Sequence, residues 1–227
     1  MGTHQIQSSS ANLDVSICSV QFSGTDRIRL NGLPFPGDLI IPLRSAIESS
    51  WRSGIKDEAY FHGAHEFKPA VLATILKYLA NEGWILLQSF DATKKTNDKD
   101  TMFFECAEKD PDTQVFAISF NRDDRIRLVD PPESWLSDHF KQTVRDGWSA
   151  GVQHVRSYFG STEMKLSGNP WWTTDGKESI AAKLFLCHLI ASFRKVGYKL
   201  YASVDINGGG GHDIESWVFR KITQVWN

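Results

Sequence analysis

The sequence predicts an α+β protein built from one module written twice, and three observations carry that prediction. The pentapeptide Asp26-Arg27-Ile28-Arg29-Leu30 returns unchanged as Asp124-Arg125-Ile126-Arg127-Leu128, 98 positions later. Trp51-x-x-Gly54-Ile55 then answers to Trp148-x-x-Gly151-Val152, and Gly63-x-x-Glu66-x-Lys68 to Gly160-x-x-Glu163-x-Lys165, both at an offset of 97. Further on, Gly83-Trp84 with Ser89-Phe90-Asp91 matches Gly197-Tyr198 with Ser203-Val204-Asp205 at an offset of 114. Five identities in a row arise by chance in roughly one in a hundred sequences of this length, and the further matches make coincidence a poor account. The step from 97 to 114 places 17 extra residues in the second copy, at about 166–182. Alternatively, the first copy has lost them.

A period of about a hundred residues is too long for a solenoid unit and suits a small domain. The expected organisation is therefore a disordered N-terminal tail over 1–12, a first repeat over 13–110 and a second over 111–227, with the insertion at about 166–182.

Each copy opens on an alternating stretch, Ser16 to Phe22 or Val115 to Phe120, then a polar turn and the Arg-Ile-Arg-Leu strand, which reads as a hairpin. Alternation sets Ile28 and Leu30 on one face and the arginines on the other, expected to be solvated. A Pro-rich connection leads to a helix ending near Trp-x-x-Gly, with Ser134 or Asp130 as candidate caps in the second copy. Ala59 to Lys68 and His154 to Leu166 each read as one strand. A second helix spans about Ala70 to Glu82, its apolar face Leu72, Ile75, Leu76 and Leu79 answered by Leu186, Leu189, Ile190 and Phe193. Gly83 and Gly197 end these helices. Strand, helix and strand in succession imply two parallel strands that need not be neighbours. A closing strand follows at Thr101 to Cys106 or Ser216 to Arg220. The expected module is thus β-β-α-β-α-β-β, with two helices packed on one face of a mixed, mainly antiparallel sheet and the copies pseudo-twofold related.

Composition is that of an ordinary globular chain, 41% hydrophobic and 23% charged, with net charge −2. A slightly acidic balance argues against nucleic acid as partner, since Asp26, Asp123 and Asp124 flank the arginines. Three separated cysteines make no disulfide framework, and Cys187, inside the second helix, is expected to be buried and inert. The Ser-rich start lacks the apolar core of a secretory signal, and the apolar run Leu184 to Phe193 is too short to span a bilayer. A cytoplasmic or nuclear location without membrane contact is the expectation.

Chemistry is less legible. His62 and His65 sit at i and i+3 on a reading as strand, which points them to opposite faces, and the second copy has Phe159 and Thr162 there, so no metal is expected. Glu66/Lys68 and Glu163/Lys165 recur in both copies and share a face at i and i+2, as an ion pair of the fold or as a catalytic pair in which the lysine lowers the pKa of the carboxylate. Asp91 and Asp205 end equivalent strands, where open sheets place binding residues. The loop Asn207 to Asp213 is glycine-rich but lacks the strand-to-helix setting of a phosphate loop, which leaves His212 as a candidate ligand contact. The insertion carries Trp171 and Trp172 in a Gly/Pro loop, one to cover the sheet and the other for a partner or a planar ligand. No nucleophile elbow, cofactor motif or metal set is found. The sequence therefore favours a non-enzymatic intracellular tandem module for protein interaction or ligand binding, with Trp171, Trp172, His212, Asp205, Glu163 and Lys165 as candidate binding residues. An enzyme with a site between the repeats, using Glu163, Lys165, Asp205 or His212, is the second reading, and a structural homodimer the third.

Overall fold

The computed structural model describes residues 15–23, 27–33, 36–50, 55, 58–61, 64–67, 72–90, 98–205 and 215–227. The first repeat runs β1 (Ile17–Ser23), β2 (Arg27–Leu33), a 3-10 turn (Gly37–Leu39) continuing into α1 (Ile40–Ser50), β3 (Glu58–Phe61), β4 (Ala64–Phe67), α2 (Leu72–Asn81), β5 (Trp84–Phe90) and β6 (Asp98–Cys106). The second runs β7 (Val115–Asn121), β8 (Arg125–Val129), α3 (Trp135–Gly147), β9 (Val152–Tyr158), β10 (Ser161–Leu166), α4 (Gly176–Lys195), β11 (Tyr198–Val204) and β12 (Ser216–Lys221). Two six-stranded sheets result, ordered β3-β4-β2-β1-β6-β5 and β9-β10-β8-β7-β12-β11. Strand for strand these orders are equivalent, so the protein is α+β and the module is repeated.

The module is β-β-α-β-β-α-β-β, one strand more than expected, because each stretch read as a single strand folds back as a hairpin. In the second repeat Tyr158 pairs with Ser161 across Phe159 and Gly160, both at positive φ (46° and 85°), which a two-residue hairpin turn with this twist requires. Phenylalanine rarely takes that conformation, so the sequence carries no ordinary turn signal there. Every neighbouring pair is antiparallel. The strands before and after α2, β4 and β5, are parallel but separated by β2, β1 and β6, as the crossover argument anticipates.

Burial follows the period of each element. Val20, Phe22, Ile28 and Leu30 from the first hairpin meet Leu43 and Ile47 of α1 and Ile75, Leu76 and Leu79 of α2. In the second repeat Phe116, Ile118 and Phe120 meet Phe140 of α3 and Phe185, Leu189 and Phe193 of α4. Phe116 lies between Phe219, stacked at 5.3 Å, and Phe193 at 5.0 Å. Each such ring contributes about 2–3 kcal/mol of burial. Gly83 (φ +86°) turns the chain from α2 into β5 while its carbonyl accepts from the Ala107 amide, and a Cβ there would meet the Ala107 oxygen at 2.6 Å. Asp175 caps α4, accepting from the amides of Lys177 (2.7 Å) and Glu178 (3.0 Å). Ser134 stands at the N-cap of α3 but makes no capping bond, and Asp130 occupies a turn at φ 49°, so neither expected cap operates.

The repeats pack one on the other asymmetrically. Val115, Ala117, Ala202, Val204 and Val218, on the helix-free face of the second sheet, belong to the core of the first repeat, with α2 against β7. A twofold would return the favour by setting first-repeat residues into the second core, and among the described residues that core takes none. The layers therefore run first sheet, α1/α2, second sheet, α3/α4, a head-to-tail stack rather than the pseudo-twofold pair. It follows that the helix-free face of the second sheet is not uniformly polar. At the seam the Leu86 amide donates to the Tyr201 hydroxyl (3.1 Å), and the Asp205 amide to Asp100 Oδ2 (3.1 Å). Cys187, expected inside, is exposed, because among the described residues no sheet lies over the outer flank of α4 as one does over α2.

Candidate functional site

Beyond the area covered by the first repeat, the helix-free face of the second sheet carries charge. Register sets Glu163 of β10 between Arg127 of β8 and Arg156 of β9. Three guanidiniums converge on this carboxylate: Arg125 Nη1 on Oε1 at 2.7 Å, Arg127 Nε on Oε2 at 2.6 Å and Arg156 Nε on Oε1 at 2.7 Å. They leave Glu163 fully buried, at 0% exposure. Burial by itself would raise the Glu163 pKa, but the bonds from Arg127, Arg125 and Arg156 outweigh it and hold the group down to about 2. A carboxylate so held stays ionised near neutrality and moves no proton.

The ring around it is built in layers. Arg127 also donates from Nη1 to Asn121 Oδ1 (2.7 Å) and lies over the Tyr158 ring at 4.1 Å, with Arg156 at 5.3 Å from the same ring. Arg125 and Arg127, placed by alternation on the face expected to be solvated, are largely covered by these partners. Arg156 binds through Nε and keeps 47% of its side chain open. Lys165 does not pair with Glu163; its Nζ lies 3.5 Å from Asp124 Oδ2. Among the described residues four cations, Arg125, Arg127, Arg156 and Lys165, thus pair with the carboxylates of Glu163 and Asp124. Phe159, at the tip of the β9–β10 hairpin, packs edge-on against Tyr158 at 4.8 Å and is 94% exposed.

The insertion loop adjoins this cluster. Trp171 packs against Phe120 (4.9 Å) and Phe185, and its Nε1 donates to the Arg125 carbonyl at 2.9 Å. It serves as the plug at the end of the sheet, while Trp172 is 60% exposed. The insertion is divided in two: a loop up to the Asp175 cap, and the first turns of α4, whose 20 residues compare with 10 in α2.

Of the remaining candidates, Asp205 does not converge with these. Asp205 sits at the seam with Asp100, whose own carboxyl is raised by burial. From β11 to β10 there are four strand spacings, about 19 Å. His212, His62, Lys68 and Asp91 lie outside the described residues; His65 and Glu66 are placed in β4, opposite Leu30 and Arg29. A cavity of about 770 Å³ opens between α2, residues 111–114 and 221–224, lined by Lys77, Asn81, Asp112 and Lys221, and among the described residues it holds no candidate residue. Among the described residues no group of three His, Cys, Asp or Glu side chains is placed to hold a metal, and no helix is long and apolar enough to cross a membrane.

Sequence reasoning found Glu163 but not its partners. Arg156 was the missing signal, since it stands where the first repeat has Ala59, at the position paired with Glu66. The buried pair Arg220–Asp110 (2.7 Å), which braces the linker between the repeats, carried no motif at all.

One family model matches residues 16–70, 69–105 and 114–220. The first repeat matches in two pieces whose break, at 69–70, falls where the second repeat holds its extra residues, so the longer copy follows the family pattern without interruption. No curated protein and no solved structure is significantly similar. The chain belongs to this family, a repeated domain of unknown function.

Proposed function

We propose, with membership of that repeated-domain family as the premise, that the protein is a non-enzymatic intracellular interaction module whose second repeat holds an acidic protein segment. The observation that supports this reading is the charge of the cluster: among the described residues Arg125, Arg127, Arg156 and Lys165 pair with the carboxylates of Glu163 and Asp124. Glu163 locks two of the arginines in place, which lowers the side-chain entropy lost on capture, and Arg156 presents its outer guanidinium edge to solvent. A carboxylate of the partner suits that edge in the bidentate geometry that arginine favours. Phe159, at the tip of the β9–β10 hairpin that carries Arg156, is an exposed apolar group, the usual complement of a charged anchor at an interface. A net charge of −2 on the whole chain favours a short acidic segment over a long polyanion.

The test uses a fluorescein-labelled peptide of alternating glutamate and phenylalanine, titrated by fluorescence anisotropy. Binding should weaken as salt is added, and Arg156→Gln should weaken it at least about tenfold, the lower range for loss of a charge-assisted contact. Equal binding by wild type and Arg156→Gln would remove the proposal. The homodimer reading, with the tryptophan loop buried between subunits, would instead give a concentration-dependent mass that Trp172→Ala abolishes.

A further inference from the structure

Among the described residues, the contact that joins the two repeats has an uncovered counterpart at each end of the stack. In α2, Ala73 and Ala80 are buried, and Ala73 shares a core with Ala117, Val204 and Val218 from the helix-free face of the second sheet. At the offset of 114 these helix positions become Cys187 and Arg194 of α4, both exposed. Ile180 and Leu184, at 60% and 65% exposure, extend the same flank, since 180, 184, 187 and 191 follow helical spacing. Ile180 lies in the insertion and Leu184 just after it.

The first sheet supplies the other half. Register puts Phe103 where the second sheet has Val218, Phe90 where it has Val204 and Glu105 where it has Arg220. Val204 and Val218 are covered by the first repeat, whereas Phe90 is 47% exposed and stacks on Phe103 at 5.4 Å. Charge matches as well. Within the molecule, Arg220 reaches the end of α2 through Asp110, whose amide donates to the Ala80 carbonyl. The counterparts of Arg220 and Ala80 are Glu105 and Arg194, a pair of opposite sign.

We propose that a second molecule of this chain docks its first sheet on α4, repeating between molecules the sheet-on-helix contact that joins the repeats within one. The two surfaces differ, so the association is heterologous and each added molecule leaves one free surface of each kind. It uses neither Arg156 nor Phe159, and is independent of the acidic-segment reading.

Sedimentation velocity over a wide concentration range, with Leu184→Glu and Phe90→Glu as variants, tests it. Wild type should gain mass with concentration, and each variant alone should stay monomeric with an unchanged circular dichroism spectrum. Mixed in equal amounts, the variants should form a dimer and nothing larger, because one intact α4 surface then meets one intact sheet surface. Arg194→Glu should weaken assembly, and Glu105→Arg added to it should restore it. A wild type that is monomeric throughout would overturn the proposal. So would a Phe90→Glu protein that still associates while Leu184→Glu does not, which would mean that α4 meets α4.

Discussion

Replacing Glu163 by glutamine removes one charge without changing shape, and leaves three guanidiniums that face each other with no anion between them. The magnitude follows from the depressed acidity. Against an ordinary value of 4.5, a folded pKa of about 2 corresponds to about 3 kcal/mol of stability at neutral pH. The cost of removing one partner from a buried ion pair, about 3–5 kcal/mol, agrees. For a chain of this size about 3 kcal/mol lowers Tm by roughly 6–12 °C. The sign is fixed by the direction of the shift: a group whose folded pKa lies below its unfolded value stabilises above pH 4.5, and that contribution is lost as pH falls towards about 2. Urea unfolding of wild type and Glu163→Gln should therefore differ by about 3 kcal/mol at neutral pH, with the gap closing steadily below pH 4.5. A gap that is absent at neutral pH, or constant with pH, would refute the ion-cluster account.

Other substitutions separate the roles of neighbouring residues. Trp171→Ala, which empties the space beside Phe120 and Phe185, should cost about 3 kcal/mol in chemical denaturation, and Trp172→Ala no more than about 0.5 kcal/mol. Tyr201→Phe leaves the Leu86 amide without its acceptor and should cost about 1–3 kcal/mol, read as a lowered Tm. Asp110→Asn strips the fully buried Arg220 of its anion and should cost about 3–5 kcal/mol. Since burial raises the Asp110 pKa but bonds from Arg220, Thr223 and Thr113 lower it further, this loss too should shrink in acid.

The pattern of strands and helices was legible wherever burial imposes a period. Val20-Phe22 and Ile28-Leu30 alternate because one face of the hairpin meets α1 and α2, and Leu72, Ile75, Leu76 and Leu79 repeat at helical spacing for the same reason. The β9–β10 hairpin escaped because its turn stands on Phe159 at positive φ, a conformation that no local preference announces. The head-to-tail stack escaped because the residues that cover α2, Ala117 and Val218, are small and apolar on a face read as polar. As for the site, Glu163 was visible through repetition, whereas its three arginines come from β8 and β9 and meet only once the register is known. The i, i+2 rule pointed Glu163 at Lys165, but stronger, closer donors across the sheet took the carboxylate and left Lys165 to Asp124.

An acidic segment held at the arginine cluster should be felt first by those side chains. Arginine Nε–Hε and backbone amide NMR spectra, recorded while the glutamate/phenylalanine peptide is titrated in, test it most directly. Shifts are expected at Arg125, Arg127 and Arg156 and along β9, with the first sheet and the cavity beside Lys77 and Lys221 undisturbed. Shifts confined to that cavity, or spread evenly over the surface lysines, would contradict it.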